Sequence, residues 1–126
     1  KTCDSVVVET AGSWNIYRVL PIDAAPGNRK SEAEKCMSPE LAQKVSSGEY
    51  AGVNGRYITT PNDINVINPI PGQSRIEVHP DDAALLTMTT CHPQFSNKER
   101  MIVHAALVRS EPKKDGKMPK ELTEGA

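Results

Sequence analysis

The sequence has few of the residues that build large cores and none of the long apolar runs that cross membranes. Of its 126 residues, 37% are hydrophobic and only 4% aromatic, while ten are prolines. This composition predicts a thin core, within the size of one domain. No segment approaches the ~20 consecutive apolar residues needed to span a bilayer. A formal net charge of −1 argues against nucleic acid or an anionic membrane as a partner.

The chain also lacks the paired ligands of common zinc sites. Its three cysteines and three histidines contain no C-x-x-C and no H-x₃₋₅-H spacing. A site made from Cys91, His92 and one further ligand is therefore disfavoured, and we predict neither a metal nor a cofactor. Because the number of cysteines is odd, at least one thiol cannot take part in an intramolecular disulfide.

A β-like run ends in a thiol, and a cation follows after a short loop. Residues 85–91 read LLTMTTC, and the two-residue period of a strand puts Cys91 on the same face as Thr87 and Thr89. Arg100 opens a second β-branched run, RMIVHAALV, after a polar loop. A loop this short can return the second strand antiparallel to the first, which brings Arg100 back beside Cys91. Such a pair is the layout of an activated cysteine nucleophile.

The run TMTTC followed by HPQFSNKER resembles the TLxTC…R signature of the sortases, the cysteine transpeptidases of Gram-positive cell surfaces. Upstream, DSVVVET and WNIYRV resemble the two strands that precede the Cys strand in that family. TPNDINVI resembles the loop leading into it, most closely that of the class E sortases of actinobacteria. Met88 stands where Leu is usual, a change that nearly conserves volume. The resemblance covers roughly residues 4–20 and 56–108.

The resemblance and the strand patterns together predict an all-β fold, the C-terminal portion of a sortase-like β-barrel. We expect four strands, near residues 5–10, 14–20, 83–91 and 100–108. Residues 1–110 are expected to form the sortase-like catalytic domain. Residues 111–126 are charged and contain two prolines, a composition that predicts a disordered tail.

Between the predicted hairpin and the Cys strand lies a long segment without strand character, residues 21–55, which we call the insertion. Within it Ser38, Pro39 and Glu40 have the order of an N-cap, a first helical residue and an early acid. They predict one short helix near 39–47. The insertion is either a lid or specificity element, or a surface elaboration that does not contact substrate.

The family's chemistry is acyl transfer from an LPxTG-like or LAxTG-like sorting signal. The resemblance implies that Cys91 attacks the Thr–Gly carbonyl and that Arg100 favours the thiolate and stabilises the oxyanion. Thr89, Thr90 and His92, which neighbour the thiol, are expected to bind the substrate. The implied partners are the sorting-signal peptides of surface proteins and an amine of a cell-wall precursor or pilin. The implied location is the extracellular face of the plasma membrane, or the cell wall, of a Gram-positive bacterium.

Sortases also use a catalytic His, in a segment that precedes the first strand of this chain. We therefore expect that His, the N-terminal strands and any membrane anchor to lie upstream of Lys1, and the isolated chain to be inactive. His104 lies four residues beyond Arg100, and we expect it to pack inside the barrel. His92 is expected to point away from the thiol because a proline follows it, and His79 to lie in a solvated turn.

Several alternatives stay open. The chain could be a non-catalytic, sortase-like module that binds a sorting peptide or a partner chain. Separately, Cys91 could be a buried structural thiol, and Arg100 could be a surface charge at a strand end. Cys3 stands where the family more often shows Gly, and Cys36 lies in the insertion. In an exported protein these two cysteines either form a disulfide or are both reduced and unrelated.

Overall fold

The computed structural model describes residues 1–75, 77–91, 99–113 and 118–123. Within them the chain forms a five-stranded antiparallel sheet, with strands β1 (Ser5–Glu9), β2 (Ser13–Val19), β3 (Arg56–Thr59), β4 (Leu85–Cys91) and β5 (Arg100–Pro112). The helices are α1 (Arg29–Glu34), α2 (Pro39–Val45) and α3 (Lys120–Thr123), and 3₁₀ turns span Gly48–Gly52 and Ile64–Ile67. The predicted all-β, sortase-like fold is confirmed.

The sheet is built around β5, its longest strand. Residues 100–103 pair with β3, and residues 105–112 pair with β2 along the same edge. The other edge of β5 pairs with β4 over residues 100–106. Because β5 has a neighbouring strand on each edge here, its residues Ile102 and His104 are at most 1% exposed. β1 pairs with β2 at the far end of the sheet, so the sheet order is β1-β2-β5-β3, with β4 on the opposite edge of β5.

The predicted short helix is present as α2. Its N-cap, Ser38, accepts a hydrogen bond from the Leu41 backbone N–H at 3.2 Å, and proline occupies the first turn. The expectation of a single helix is wrong, because α1 precedes it in the insertion. α1 begins after Asn28, a residue type that favours N-caps, but the Asn28 side chain makes no cap hydrogen bond. Burial of Arg29 and Ala33 stabilises it instead.

A disulfide joins Cys3 to Cys36, with 5.8 Å between the Cα atoms. Of the two alternatives for these cysteines, the structure has the disulfide. The bridge anchors the insertion to the residues ahead of β1. Cys3 has a φ of +70°, in the left-handed region that glycine adopts at least cost. This explains why a relative without the disulfide would place glycine here.

The insertion rejoins the sheet at Gly55. Its N–H donates to the Pro21 carbonyl at 3.0 Å, and its carbonyl accepts the His104 N–H at 2.9 Å. A Cβ at this position would lie 2.0 Å from the Leu20 carbonyl oxygen. Only glycine allows the two ends of the insertion to approach this closely.

Of the disordered tail predicted over 111–126, the structure describes residues 111–113 and 118–123, and for the other residues disorder stays a prediction. β5 continues to Pro112, and α3 is attached to the sheet by Glu121, whose side chain is 4% exposed. Glu121 accepts two hydrogen bonds from Arg109, at 2.6 and 2.7 Å, and one from Arg18 at 3.2 Å. The Arg109 guanidinium lowers the pKa of Glu121 to about 2. The arginines that hold α3 are distant from it in sequence, so composition alone does not predict that this helix is ordered.

In the part of the chain that the structure describes, no helix is long and apolar enough to cross a membrane. In the described sheet β1, β3 and β4 each pair with one neighbour, whereas β2 and β5 pair with more than one.

Candidate active site

The antiparallel return predicted from the short loop is confirmed by the pairing of β4 with β5. In that register Cys91 lies directly opposite Arg100, and Thr89 opposite Ile102. Directly opposed residues of an antiparallel pair have Cα atoms about 5 Å apart. Arg100 is half-buried, and its Nη1 donates to the Glu99 carbonyl at 3.0 Å. The backbone thus brings together the predicted nucleophile and cation, whose catalytic roles stay predictions.

The remaining predicted site residues are less completely described. Thr89 and Thr90 are exposed near the end of β4, and by alternation only Thr89 shares the face of Cys91. His92 lies outside the described residues. A binding role for these three stays a prediction.

An open groove of about 480 Å³ lies beside β4, and we call it the groove. One wall belongs to the segment between β3 and β4, residues 60–84, which we call the groove loop. The lining residues are Ile67, Asn68, Pro69, Val78, Asp82, Ala83, Ala84, Leu85 and Thr87. Leu85 and Thr87 lie on the face of β4 that alternation gives to Cys91. Sequence patterns predicted that face but not the groove, because the groove loop has no periodicity.

Behind Thr87 a row of hydrogen bonds crosses the sheet through His104. The Tyr57 hydroxyl lies 2.9 Å from His104 Nε2, and Thr87 Oγ1 lies 2.9 Å from His104 Nδ1. Thr87 in turn donates to the Val66 carbonyl at 3.4 Å. The Thr87 hydroxyl has one proton, which goes either to that carbonyl or to His104 Nδ1, and this choice sets the tautomer of the ring. The row joins β3, β5, β4 and the groove loop.

The expectation that His104 packs inside the barrel is confirmed, because the residue is 0% exposed. Burial lowers the pKa of His104 to about 4, so the ring is neutral at physiological pH. Both ring nitrogens are occupied. Its pairing partner is Thr87, four residues along β4 from Cys91, or roughly 13 Å at ~3.3 Å per residue. His104 is therefore a structural residue of the sheet.

The third histidine, His79, is exposed in the groove loop, as the sequence predicted. Its backbone N–H donates to Asp82 at 2.8 Å. Asp82 also accepts a forked pair of hydrogen bonds from Arg75, at 2.8 and 2.9 Å, and that contact holds the pKa of Asp82 well below its usual range. Bidentate pairs of this kind fix geometry as well as charge. The described residues contain no cluster of three or more His, Cys, Asp or Glu side chains able to hold a metal ion.

Comparison with known proteins identifies the fold and the protein family. The family model described as Sortase domain matches residues 1–108. The chain belongs to the sortase family. A curated relative, sortase SrtE1 of Streptomyces coelicolor, is 37% identical over 60 residues, which cover 48% of this chain and 16% of that protein. The predicted likeness to class E sortases is confirmed.

Two solved sortase structures superpose on this chain. The SrtF sortase from Corynebacterium diphtheriae is 49% identical, with a TM-score of 0.92 over 99% of this chain and 61% of that one. Sortase E1 from Streptomyces coelicolor, crystallised with a tripeptide in its active site, is 25% identical, with a TM-score of 0.57 over 97% of this chain and 52% of that one. The chain therefore spans less than two thirds of each relative. Sortases as a family are cysteine transpeptidases that act on sorting-signal peptides at the Gram-positive cell surface.

Proposed function

We propose that the protein is a sortase transpeptidase whose nucleophile is Cys91 and whose oxyanion-stabilising cation is Arg100. The observation that carries the proposal is their direct pairing across β4 and β5, in a chain whose family works through a cysteine. Arginine suits the role because its charge does not titrate away and its donors form a rigid fork. A cation beside a thiol lowers the thiol pKa and increases the thiolate fraction.

In the proposed reaction the Cys91 thiolate attacks the carbonyl carbon between Thr and Gly of an LPxTG-like or LAxTG-like signal. The C–N bond breaks, the departing amine takes a proton from a general acid, and a thioester remains on Cys91. An amine of a cell-wall precursor or pilin then attacks the thioester, loses a proton and forms the new amide, releasing the thiolate. Arg100 donates to the oxyanion that develops in both steps.

The groove supports an apolar peptide as the substrate. Six of its lining residues are apolar, beside the strand that leads to the thiol: Ile67, Pro69, Val78, Ala83, Ala84 and Leu85. Pockets of this kind bury apolar side chains and orient a ligand with a few polar groups, here Asn68, Asp82 and Thr87. Thr89, Thr90 and His92 remain the proposed contacts nearest the scissile bond.

The general acid is proposed to be a histidine from a segment upstream of Lys1, as in other sortases. His104 is unsuited because it is buried and hydrogen-bonded at both nitrogens. His79 belongs to the groove loop and is fixed through its backbone to Asp82. The proposed location is the extracellular face of a Gram-positive plasma membrane.

The test is cleavage of a fluorogenic sorting peptide by the natural-length protein. Cys91→Ala should abolish cleavage, and Arg100→Ala should lower kcat about 10²-fold or more, the usual cost of losing an oxyanion donor. Arg56→Ala, at an exposed arginine on β3, is the matched control and should leave kcat unchanged. Cleavage that survives Cys91→Ala would contradict the proposal. Peptide binding without turnover would favour the non-catalytic binding module instead.

A further inference from the structure

The insertion shares one hydrophobic core with the groove loop and the sheet. The insertion contributes Ala33, Met37, Ala42, Val45, Tyr50 and Val53; the groove loop contributes Ile70 and Ala83; and the sheet side contributes Leu20 and Ala106. None of the residues that line the groove belongs to residues 21–55. The insertion therefore packs behind the groove wall, an arrangement that fits neither a lid over the groove nor a detached surface elaboration.

Tyr50 makes the polar contact between the insertion and the groove wall. It is 7% exposed, and its hydroxyl accepts the Ala83 N–H at 2.9 Å. Ala83 lines the groove together with its neighbours Asp82 and Ala84. Burial, with a smaller contribution from the charge of Asp82, raises the pKa of Tyr50, so the hydroxyl stays neutral. A buried backbone N–H that loses its acceptor costs free energy, so this contact fixes the wall from behind.

Tyr50 is itself held firmly. The buried Arg29 side chain donates from Nη2 to the Tyr50 carbonyl at 3.3 Å and to the Val53 carbonyl at 2.5 Å. Its Nε donates to the Val45 carbonyl at 3.0 Å. Arg29 thus joins α1 to the end of α2 and to the 3₁₀ turn that carries Tyr50. The Cys36 disulfide anchors the same segment to the residues ahead of β1.

We infer that Tyr50 is a positioning residue that sets the place of the groove wall at residues 82–84, and through it the affinity for the peptide. This inference rests on the proposed function and adds a role for the insertion. Tyr50 does not touch the reacting atoms. It acts through Ala83, so its loss should weaken substrate binding and leave the chemical step intact.

The test compares Tyr50→Phe with Tyr17→Phe in the natural-length protein. Phenylalanine keeps the ring in the core and removes only the hydroxyl, with its contacts to the Ala83 N–H and the Asp82 side chain. Tyr17, half-buried on β2, does not line the groove and is the matched control. Amide exchange of Ala83 should accelerate about tenfold in Tyr50→Phe, while exchange of Ile102 in β5 stays as in the wild type. KM for the sorting peptide should rise about fivefold, with kcat within about twofold of wild type.

Either of two results would overturn the inference while leaving the proposed function standing: unchanged exchange at Ala83, or faster exchange with an unchanged KM. A fall in kcat alone would also overturn it, because Tyr50 would then act on chemistry. Failure of the wild-type protein to cleave or bind the peptide would count against the proposed function itself. Affinity for the uncleaved peptide, measured with Cys91→Ser in both backgrounds, gives the binding readout without turnover.

Discussion

Among the described residues, one buried polar side chain lies in the sheet and one in the insertion, and their hydrogen bonds are satisfied in opposite ways. His104 in β5 gives up its charge and hydrogen-bonds to two neutral hydroxyls, from Tyr57 and Thr87. Arg29 in the insertion cannot give up its charge under ordinary conditions, and backbone carbonyls surround it, although burial lowers its pKa. The sheet is thus specified by strand pairing with a neutral network added. The insertion, whose helices are short, depends on a cation, a disulfide and a glycine.

The largest effect is expected where the two regions join. Gly55→Ala places a Cβ against the Leu20 carbonyl, so the backbone must shift. We expect the free energy of unfolding to fall by about 4 kcal/mol or more, in the range of the most damaging single substitutions. Gly52→Ala, where a Cβ meets nothing within 4 Å, is the control and should be close to neutral. Chemical denaturation of both variants measures their free energies of unfolding. Equal values would mean that the junction is not tightly packed.

The disulfide should rank next. The Cys3→Ser, Cys36→Ser double variant opens a loop with a sequence separation of 33, and loop-closure entropy predicts a loss of about 3–4 kcal/mol. The change should fall on the insertion first, since β1 keeps its pairing with β2. Cys3→Gly, Cys36→Ser should be more stable than the double serine variant, because glycine relieves the positive φ of residue 3. Thermal unfolding of the two variants separates the contribution of the bridge from that of the backbone.

Arg29→Met tests the cation in the insertion. It removes hydrogen bonds to three backbone carbonyls, of which the Tyr50 carbonyl keeps the Val53 N–H as a donor. We expect a loss of about 3 kcal/mol. Lys30→Met changes an adjacent, exposed cation and should be almost silent. Amide exchange should locate the damage in α1, α2 and the turn at Gly48–Gly52, with β5 protected. Damage spread evenly over the sheet would show that the two regions are not independently specified.

The titration of His104 has the smallest effect on stability at neutral pH, and its effect appears when the pH is lowered. The pKa of His104 is about 4 in the folded protein, below its ordinary 6.5. Between pH 6.5 and pH 4 the unfolded chain therefore binds a proton at this histidine that the folded protein does not bind. Stability is therefore complete above about pH 6.5 and falls progressively towards pH 4, by about 3 kcal/mol. His104→Gln, which cannot titrate, should remove that slope. Urea denaturation from pH 7 to 4 measures it, and a parallel loss in both proteins would assign the slope to other groups.

The same comparison shows what the sequence could predict. Alternation in β4 and β5 and the short loop between them predicted the pairing of Cys91 with Arg100, because both signals are local. Ser38 and Pro39 predicted α2 for the same reason. α1 was missed because it has only six residues, and buried Arg29 stabilises it through carbonyls distant in sequence.

Other elements were missed because their order comes from partners far away in the chain. α3 is fixed by Glu121, which reaches Arg18 and Arg109. The groove depends on the contact between Tyr50 and Ala83, 33 residues apart. The row through Tyr57, His104 and Thr87 likewise joins three separate strands. Composition and spacing do not encode such contacts.

The central claim is that Cys91 forms the acyl intermediate, and trapping that intermediate tests it most directly. The natural-length protein is incubated with a sorting peptide without an added amine, quenched in acid, digested and analysed by mass spectrometry. We predict that the N-terminal part of the peptide, ending in Thr, is found as a thioester on Cys91, and that hydroxylamine releases it. Peptide cleavage with no adduct on Cys91, or with the adduct on another residue, would contradict the account.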